Sequence, residues 1–319
     1  KIPEIIAQVD KLIANGNAYL IEGDGYYFDL STFADYGKLS TLDQIKEGTR
    51  VEINEEKRNP RDFALWKFSP VDEGRHMNWS SPWGEGFPGW HIECSARSMK
   101  YLGETFDIHT GGVDHISVHH ANEIAQSTAA TGKKFVNYWV HSAFMLVAGE
   151  KMSKSLGNIY RIYDLEKSGY DPMTLRYLYL QTHYRQEMNF TFAALDGAQN
   201  ALKKLRLEVA RWDDPAVGCA EFEERFEDAI NDDLNMPQAL AVMWEMVKSS
   251  KPSAAKARSL FKMDQILGFN FQQTGLAIKR EQGVVPGHIQ ELVNERESLR
   301  KQKRFNAADQ LRSKIEKMG

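Results

Sequence analysis

The sequence predicts an α/β region built on a parallel sheet, followed by an all-α helical bundle. Between Trp79 and Asn158, apolar runs (FDIHT, FVNYWV, SAFMLVA) alternate with helical stretches (SARSMKYLG, HANEIAQSTAATG), the texture of strands joined through helices. Beyond about residue 160 strand signals nearly vanish and helix follows helix. The chain has 319 residues, 42% of them hydrophobic and 26% charged, enough for two or three domains with a sizeable core.

KIPEIIAQVDKLIANGNAYLI opens with Pro3 near a helix start, apolar residues at Ile5, Val9, Leu12 and Ile13, and Gly16 as a stop signal: an amphipathic helix. In GDGYYFDLSTFADYGKLS, Gly-Asp-Gly before Tyr26, Tyr27 and Phe28 reads as a turn and a short strand. RNPRDFALWKFSP closes this mixed region without obvious chemistry. In the later half, DPMTLRYLYLQTHYR, FAALDGAQNALKKLRLEVARW and MPQALAVMWEMVKSS read as helices. WDDPAVGCAEF is the best internal boundary and NFQQTGLAIKREQGVVPG reads as a second linker. The final stretch from Pro286 is helical and basic, with eight Lys/Arg against five Asp/Glu.

The longest apolar runs are five or six residues, far short of the roughly 20 that span a bilayer, and no leader pattern opens the chain. A cytoplasmic protein that makes no membrane contact is expected. Two cysteines, Cys94 and Cys219, do not make a disulfide framework. A formal net charge of -4 argues against a general nucleic-acid coat but leaves room for a local basic face.

In an open parallel α/β sheet the ligand site lies at the carboxyl ends of the strands, and three constellations gather there. The first joins Cys94 of GWHIEC to His119 and Glu123 of VHHANE. On a helix His119 and Glu123 project from one face, and a thiolate from the preceding strand end could complete a three-sided site for a borderline metal such as zinc. The alternative is a buried free cysteine beside histidines that face solvent. The second is HTGGVD, where Gly111 and Gly112 let a ligand approach the backbone and Asp114 could accept from ribose hydroxyls; taken alone it is a weak signal, since the same pattern is a common tight turn. The third is KMSKS, Lys151 to Ser155, on a Gly-bounded loop whose lysines can swing onto a polyphosphate. The alternative there is a solvated charged loop.

These stretches, with NPRDFALWK, SPWGEGFPGWHIECSARSMKYLG, LRYLYLQTHYR and DDLNMPQALAVMWE, resemble the class I aminoacyl-tRNA synthetases, in their cysteine-specific branch, the cysteinyl-tRNA synthetases. The likeness runs over essentially the whole chain. It implies the second half of a Rossmann-type sheet with a connective insertion, then a helical bundle: residues 1–78 as connective insertion, 79–160 as half of the catalytic domain, 161–214 as stem-contact helices and 215–319 as anticodon-proximal helices. It also implies one zinc ion held by Cys94, His119 and Glu123 to recognise the substrate thiol, with Trp90 and His120 beside the amino-acid pocket. Gly111, Gly112, Asp114 and Lys154 would bind ATP, accompanied by Mg2+, and Lys151 and Lys154 would assist catalysis. L-cysteine, ATP and tRNA(Cys) are the implied partners, and the implied state is a monomer.

The chain departs from the family's pattern in places. HHANE stands for the usual HHENE, and TGGVDHISV for the usual glycine-rich run with its apolar-Pro pair. No His-Ile-Gly-His signature and no fourth cysteine ligand occur in the sequence. The expectation is therefore half an adenylation site and a three-ligand metal site, the remainder lying in residues before Lys1. A truncated, non-catalytic tRNA-binding paralogue and a ligase joining cysteine to an amino sugar are the alternatives.

Overall fold

In the computed structural model residues 1–39, 54–69, 76–282 and 287–316 are described, and the parts of the expected connective region and second linker outside those ranges are not. The chain divides into two compact units, Lys1–Phe144 with Tyr184–Glu187, and Met145–His183 with Met188–Gly319.

The first unit starts with α1 (Ile2–Ala14), whose buried Ile5, Val9 and Leu12 follow the helical period and whose first turn carries Pro3. Then come β1 (Ala18–Ile21), β2 (Gly25–Phe28), β3 (Phe63–Phe68), β4 (Trp79–Ser81) and β5 (Gly84–Pro88). They form an antiparallel sheet in the order β1-β2-β3-β5-β4. Sequence reading found only β2, because strands this short with aromatic residues on both faces lack a clean alternation. Asp62, fully buried, ties the sheet's entry together, accepting from Leu30 N at 2.9 Å, Asn59 N at 3.0 Å and the Tyr19 hydroxyl at 2.8 Å.

Straight after β5 the chain turns into α2 (Trp90–Leu102) through Gly89. Gly89 N donates to Leu65 O at 2.9 Å, and a Cβ on residue 89 would lie 1.9 Å from Ala64 O. No other residue type fits there. Next are β6 (Phe106–Gly112), a 3-10 turn at Val113–His115, α3 (His119–Thr131) and β7 (Val136–Ser142). β6 and β7 pair in parallel from Phe106↔Val136 to Gly112↔Ser142, so β6-α3-β7 is the crossover unit that the sequence predicts. The core gathers Ile5, Val9 and Leu12 with Phe28, Phe63, Leu65, Trp66, Ile92, Ala96 and Ala125.

In the second unit β8 (Met145–Val147) pairs in parallel with β10 (Met188–Phe190) and antiparallel with β9 (Glu150–Lys151). The strand expected over SAFMLVA thus shrinks to three residues. The helices are α4 (Ile162–Lys167), α5 (Pro172–Leu180), α6 (Phe192–Val209), α7 (Ala220–Asn231), α8 (Met236–Lys248), α9 (Ser253–Leu267), α10 (Phe271–Gln282), α11 (Gly287–Lys301) and α12 (Phe305–Glu316). Leu195, Leu202, Leu205, Met243, Met246, Leu260 and Phe271 lie in their shared core. The WDDPAVGC boundary is a loop between α6 and α7. The second expected linker is instead largely the helix α10. Gly275 lies on its packed face, where a Cβ would meet Val209 Cγ1 at 2.9 Å, so that glycine permits close packing and does not break the helix.

Candidate metal centre and nucleotide loop

α2 and α3 present their first turns to each other. Trp90 and His91 open α2 with Cys94 one turn on, while His119 and His120 open α3 with Glu123 one turn on. The ligand atoms of Cys94, His119 and Glu123 all lie within 4.8 Å of one another. Cys94 reaches this cluster from a helix and not, as expected, from a strand end, because Gly89 starts α2 directly where β5 stops.

Glu123 is fully buried. Its Oε2 accepts from His109 Nε2 at 2.9 Å, while Oε1 has no hydrogen-bond partner among the described residues. Burial pushes its carboxyl pKa up, against the opposing pull of His109. Burial also raises the Cys94 thiol to about 11, with the Glu123 charge adding to the effect. Three imidazoles are held neutral for the same reason: burial, reinforced by neighbouring imidazoles, lowers His91 to about 3, His119 to about 4 and His120 to about 2. Neutral nitrogens, a thiol and an enclosed carboxylate oxygen without a partner are a donor set that a borderline cation completes. The residues present fit zinc.

The ring orientations are fixed from outside. His91 Nδ1 lies 2.8 Å from His119 Nδ1, Asn122 Nδ2 lies 3.1 Å from His91 Nε2, and the Tyr36 hydroxyl donates to Asn122 Oδ1 at 2.7 Å. That chain leaves His119 Nε2 facing Glu123 Oε2 at 3.7 Å. The Trp90 indole, 48% exposed, stacks on His119 with centroids 4.3 Å apart. His120 is buried and its Nδ1 lies 2.7 Å from His141 Nε2.

Six of the nine histidines gather here, and sequence reading singled out only His119 and His120. His91, His109, His115 and His141 were missed. Each is alone in its stretch, and the available signal is position: within a parallel strand, in the turn after one, or in the first turn of a helix.

Gly111 and Gly112 end β6, and the space their side chains would need is already taken. A Cβ at 111 would lie 2.5 Å from His120 Cε1 and 2.9 Å from His115 Nδ1; one at 112 would lie 2.5 Å from Asp114 Oδ1. The glycine pair brings β6 against histidine rings. Asp114 sits exposed in the 3-10 turn.

Lys151 and Lys154 belong to the second unit. A turn at Ala148 and Gly149, both at positive φ, joins β8 to β9 and leads into a compact loop. Asn158 organises it: its Oδ1 accepts from Ser153 N at 2.8 Å and its Nδ2 donates to Lys151 O at 3.1 Å. Gly157 N donates to Lys154 O at 3.2 Å. Both lysine side chains are exposed.

The family model for the tRNA synthetases class I (C) catalytic domain matches residues 1–200, and the DALR domain model matches residues 225–272. Cysteine--tRNA ligase 1 of Burkholderia lata is 47% identical over 322 residues, a match that takes in 100% of this chain and 67% of that protein. Cysteine--tRNA ligase of Treponema denticola is 39% identical over 350 residues, covering 100% of this chain and 71% of the relative. A solved Mycobacterium tuberculosis methionyl-tRNA synthetase in complex with methionyl-adenylate superposes with a TM-score of 0.52 at 15% identity. It covers 83% of this chain and 70% of that one, a likeness of fold alone.

Proposed function

The chain belongs to the class I tRNA synthetase (C) family, and from that premise we propose that it is a cysteine--tRNA ligase, activating L-cysteine with ATP and transferring it to tRNA(Cys). The observation that carries the cysteine specificity is the convergence of Cys94, His119 and Glu123 ligand atoms within 4.8 Å. A pocket relying on shape alone separates cysteine poorly from serine, which differs by one atom. Zinc bound by these three residues would supply the softness that takes a thiolate and leaves a neutral hydroxyl.

The chain's own residues do the rest. Trp90, stacked on His119, walls the amino-acid side of the site, and His120 backs it. Gly111, Gly112 and Asp114 line the adenosine side. The cysteine carboxylate oxygen bonds to the α-phosphorus as the bond to the pyrophosphate oxygen breaks; Lys154, assisted by Lys151, neutralises the charge gathering on the departing phosphates. A hydroxyl of the terminal tRNA ribose then attacks the acyl carbon and AMP leaves. Positioning and charge stabilisation suffice, without a side-chain nucleophile. Mg2+ would accompany the ATP.

Residues 1–78 act as connective insertion, 79–160 complete the catalytic half, 161–214 meet the acceptor stem and 215–319 approach the anticodon. The basic final stretch, with eight Lys/Arg against five Asp/Glu, suits a phosphate backbone. The test is ATP-pyrophosphate exchange by the native gene product with cysteine, and with serine as control. Cysteine-dependent exchange is expected; its absence from folded, zinc-loaded protein overturns the reading.

A further inference from the structure

Glu123 belongs to two ligand sets. Besides Cys94 and His119, the ligand atoms of His109 and His120 also converge with it within 4.8 Å. We propose that His109, His120 and Glu123 form a second divalent-cation site, sharing the Glu123 carboxylate with the first and taking a borderline metal such as zinc.

Five features of the geometry support it. His120 Nδ1 is engaged by His141 Nε2 at 2.7 Å, which leaves Nε2 as the nitrogen turned to Glu123. His119 is held the same way by His91, so the two adjacent histidines approach one carboxylate in matching fashion. His120 Nε2 stands 3.9 Å from Glu123 Oε2, too far to hydrogen-bond. Two ligands on a tetrahedral zinc, each at about 2.0–2.2 Å, lie roughly 3.3 Å apart, so a small inward shift seats a cation in that gap. His109, His119 and His120 all turn a nitrogen to Glu123 Oε2, at 2.9, 3.7 and 3.9 Å, while Oε1 has no hydrogen-bond partner among the described residues, so the carboxylate keeps one oxygen available when the other is engaged. Finally, the backbone at Gly111 forgoes a side chain whose Cβ would fall 2.5 Å from His120 Cε1.

A hydrogen bond from His109 to Glu123 that merely orients the carboxylate would explain His109 alone. It leaves the placement of His120 Nε2 without a role. His109 is 20% exposed, which gives the ion an entry path and a place for a water ligand. Two imidazoles and one carboxylate with a position left open make a weaker set than one containing a thiolate. The second site therefore fills after the first, and because both draw on Glu123, excess metal perturbs the first.

The experiment titrates the metal-stripped native full chain with Co2+ and follows its absorption. The first equivalent is expected to give thiolate-to-cobalt charge transfer from Cys94; the second, d-d absorption with no added charge transfer. His109→Gln, which still donates a hydrogen bond to Glu123 but ligates poorly, should abolish the second equivalent and keep the first. Cys94→Ala should remove the charge-transfer band and keep a d-d signal that disappears when combined with His109→Gln. A wild type that saturates at one equivalent, or a second equivalent that survives His109→Gln, overturns the proposal. Loss of the charge-transfer band in the wild type would instead refute the Cys94 set, so the two failures are separable.

Discussion

Glu123→Gln should reverse its effect on stability according to whether metal is present. The substitution preserves shape and removes charge. In the metal-free protein the carboxyl is fully buried, burial raises its pKa, and Oε1 has no partner. A buried polar atom without a partner costs about 1–3 kcal/mol, and a buried charge costs more. The neutral amide avoids the charge cost, and its carbonyl can still accept from His109. Metal-free Glu123→Gln is therefore expected to be as stable as metal-free wild type, or up to about 1 kcal/mol more stable. With zinc at roughly 100 times Kd the wild type gains about 2.7 kcal/mol. At about 2–4 °C per kcal/mol that is a rise in Tm of about 5–11 °C. The variant should gain almost none of it. Differential scanning calorimetry in chelator and in buffered zinc, with zinc content measured alongside, reads both arms. A variant that is less stable without metal yet keeps the full zinc increment would show that Glu123 is only an ion-pair partner for His109 and would refute the reasoning.

Other expectations follow from the same site and loop. Because the metal-free Cys94 thiol sits at about 11, it is protonated at neutral pH and must shed its proton to bind metal. Affinity should then climb with pH, by up to about tenfold per unit for each proton released, and calorimetry between pH 6.5 and 8.5 that finds no trend would contradict this. His91 is held neutral, its pKa lowered to about 3, whereas an unfolded histidine titrates near about 6.5. The unfolded chain binds the extra proton in that window, so metal-free protein should lose stability as pH falls below about 6.5, and His91→Asn should reduce the loss in urea titrations without abolishing it, because His119 and His120 are held neutral as well. Asn158→Ala removes two hydrogen bonds that shape the Lys151–Ser155 loop. A cost of about 1 kcal/mol, roughly fivefold, is expected in the KM for ATP, together with faster proteolysis of the loop; no change in either would mean that the loop is shaped by other contacts.

Local patterns were legible where one element carries the whole signal. Ile5, Val9 and Leu12 announce α1, and the i, i+4 spacing of His119 and Glu123 places both on one face of α3. β6 and β7 were legible as a parallel pair because a helical stretch separates two apolar runs. What escaped the sequence depends on convergence. His91, His109 and His141 come from α2, β6 and β7, and nothing in their own stretches marks them as neighbours. α10 escaped because Gly275 and its polar flanks look like a linker until Val209 is packed against that glycine. The five-stranded sheet escaped because its strands are short and aromatic, so pairing and not periodicity defines them.

Gly89 has a wider meaning than steric fit. Its contact with Ala64 and Leu65 makes the antiparallel sheet the datum from which α2, and with it Trp90, His91 and Cys94, is measured. Tolerance to change is thereby distributed unevenly. Side chains that do not touch this contact leave it unchanged, whereas a backbone displacement at Ala64 is passed through Gly89 to the start of α2, and so to a thiol thirty positions downstream. On the proposed reading of the metal centre, the accuracy with which sulfur would be sorted from oxygen is set in a sheet that touches neither.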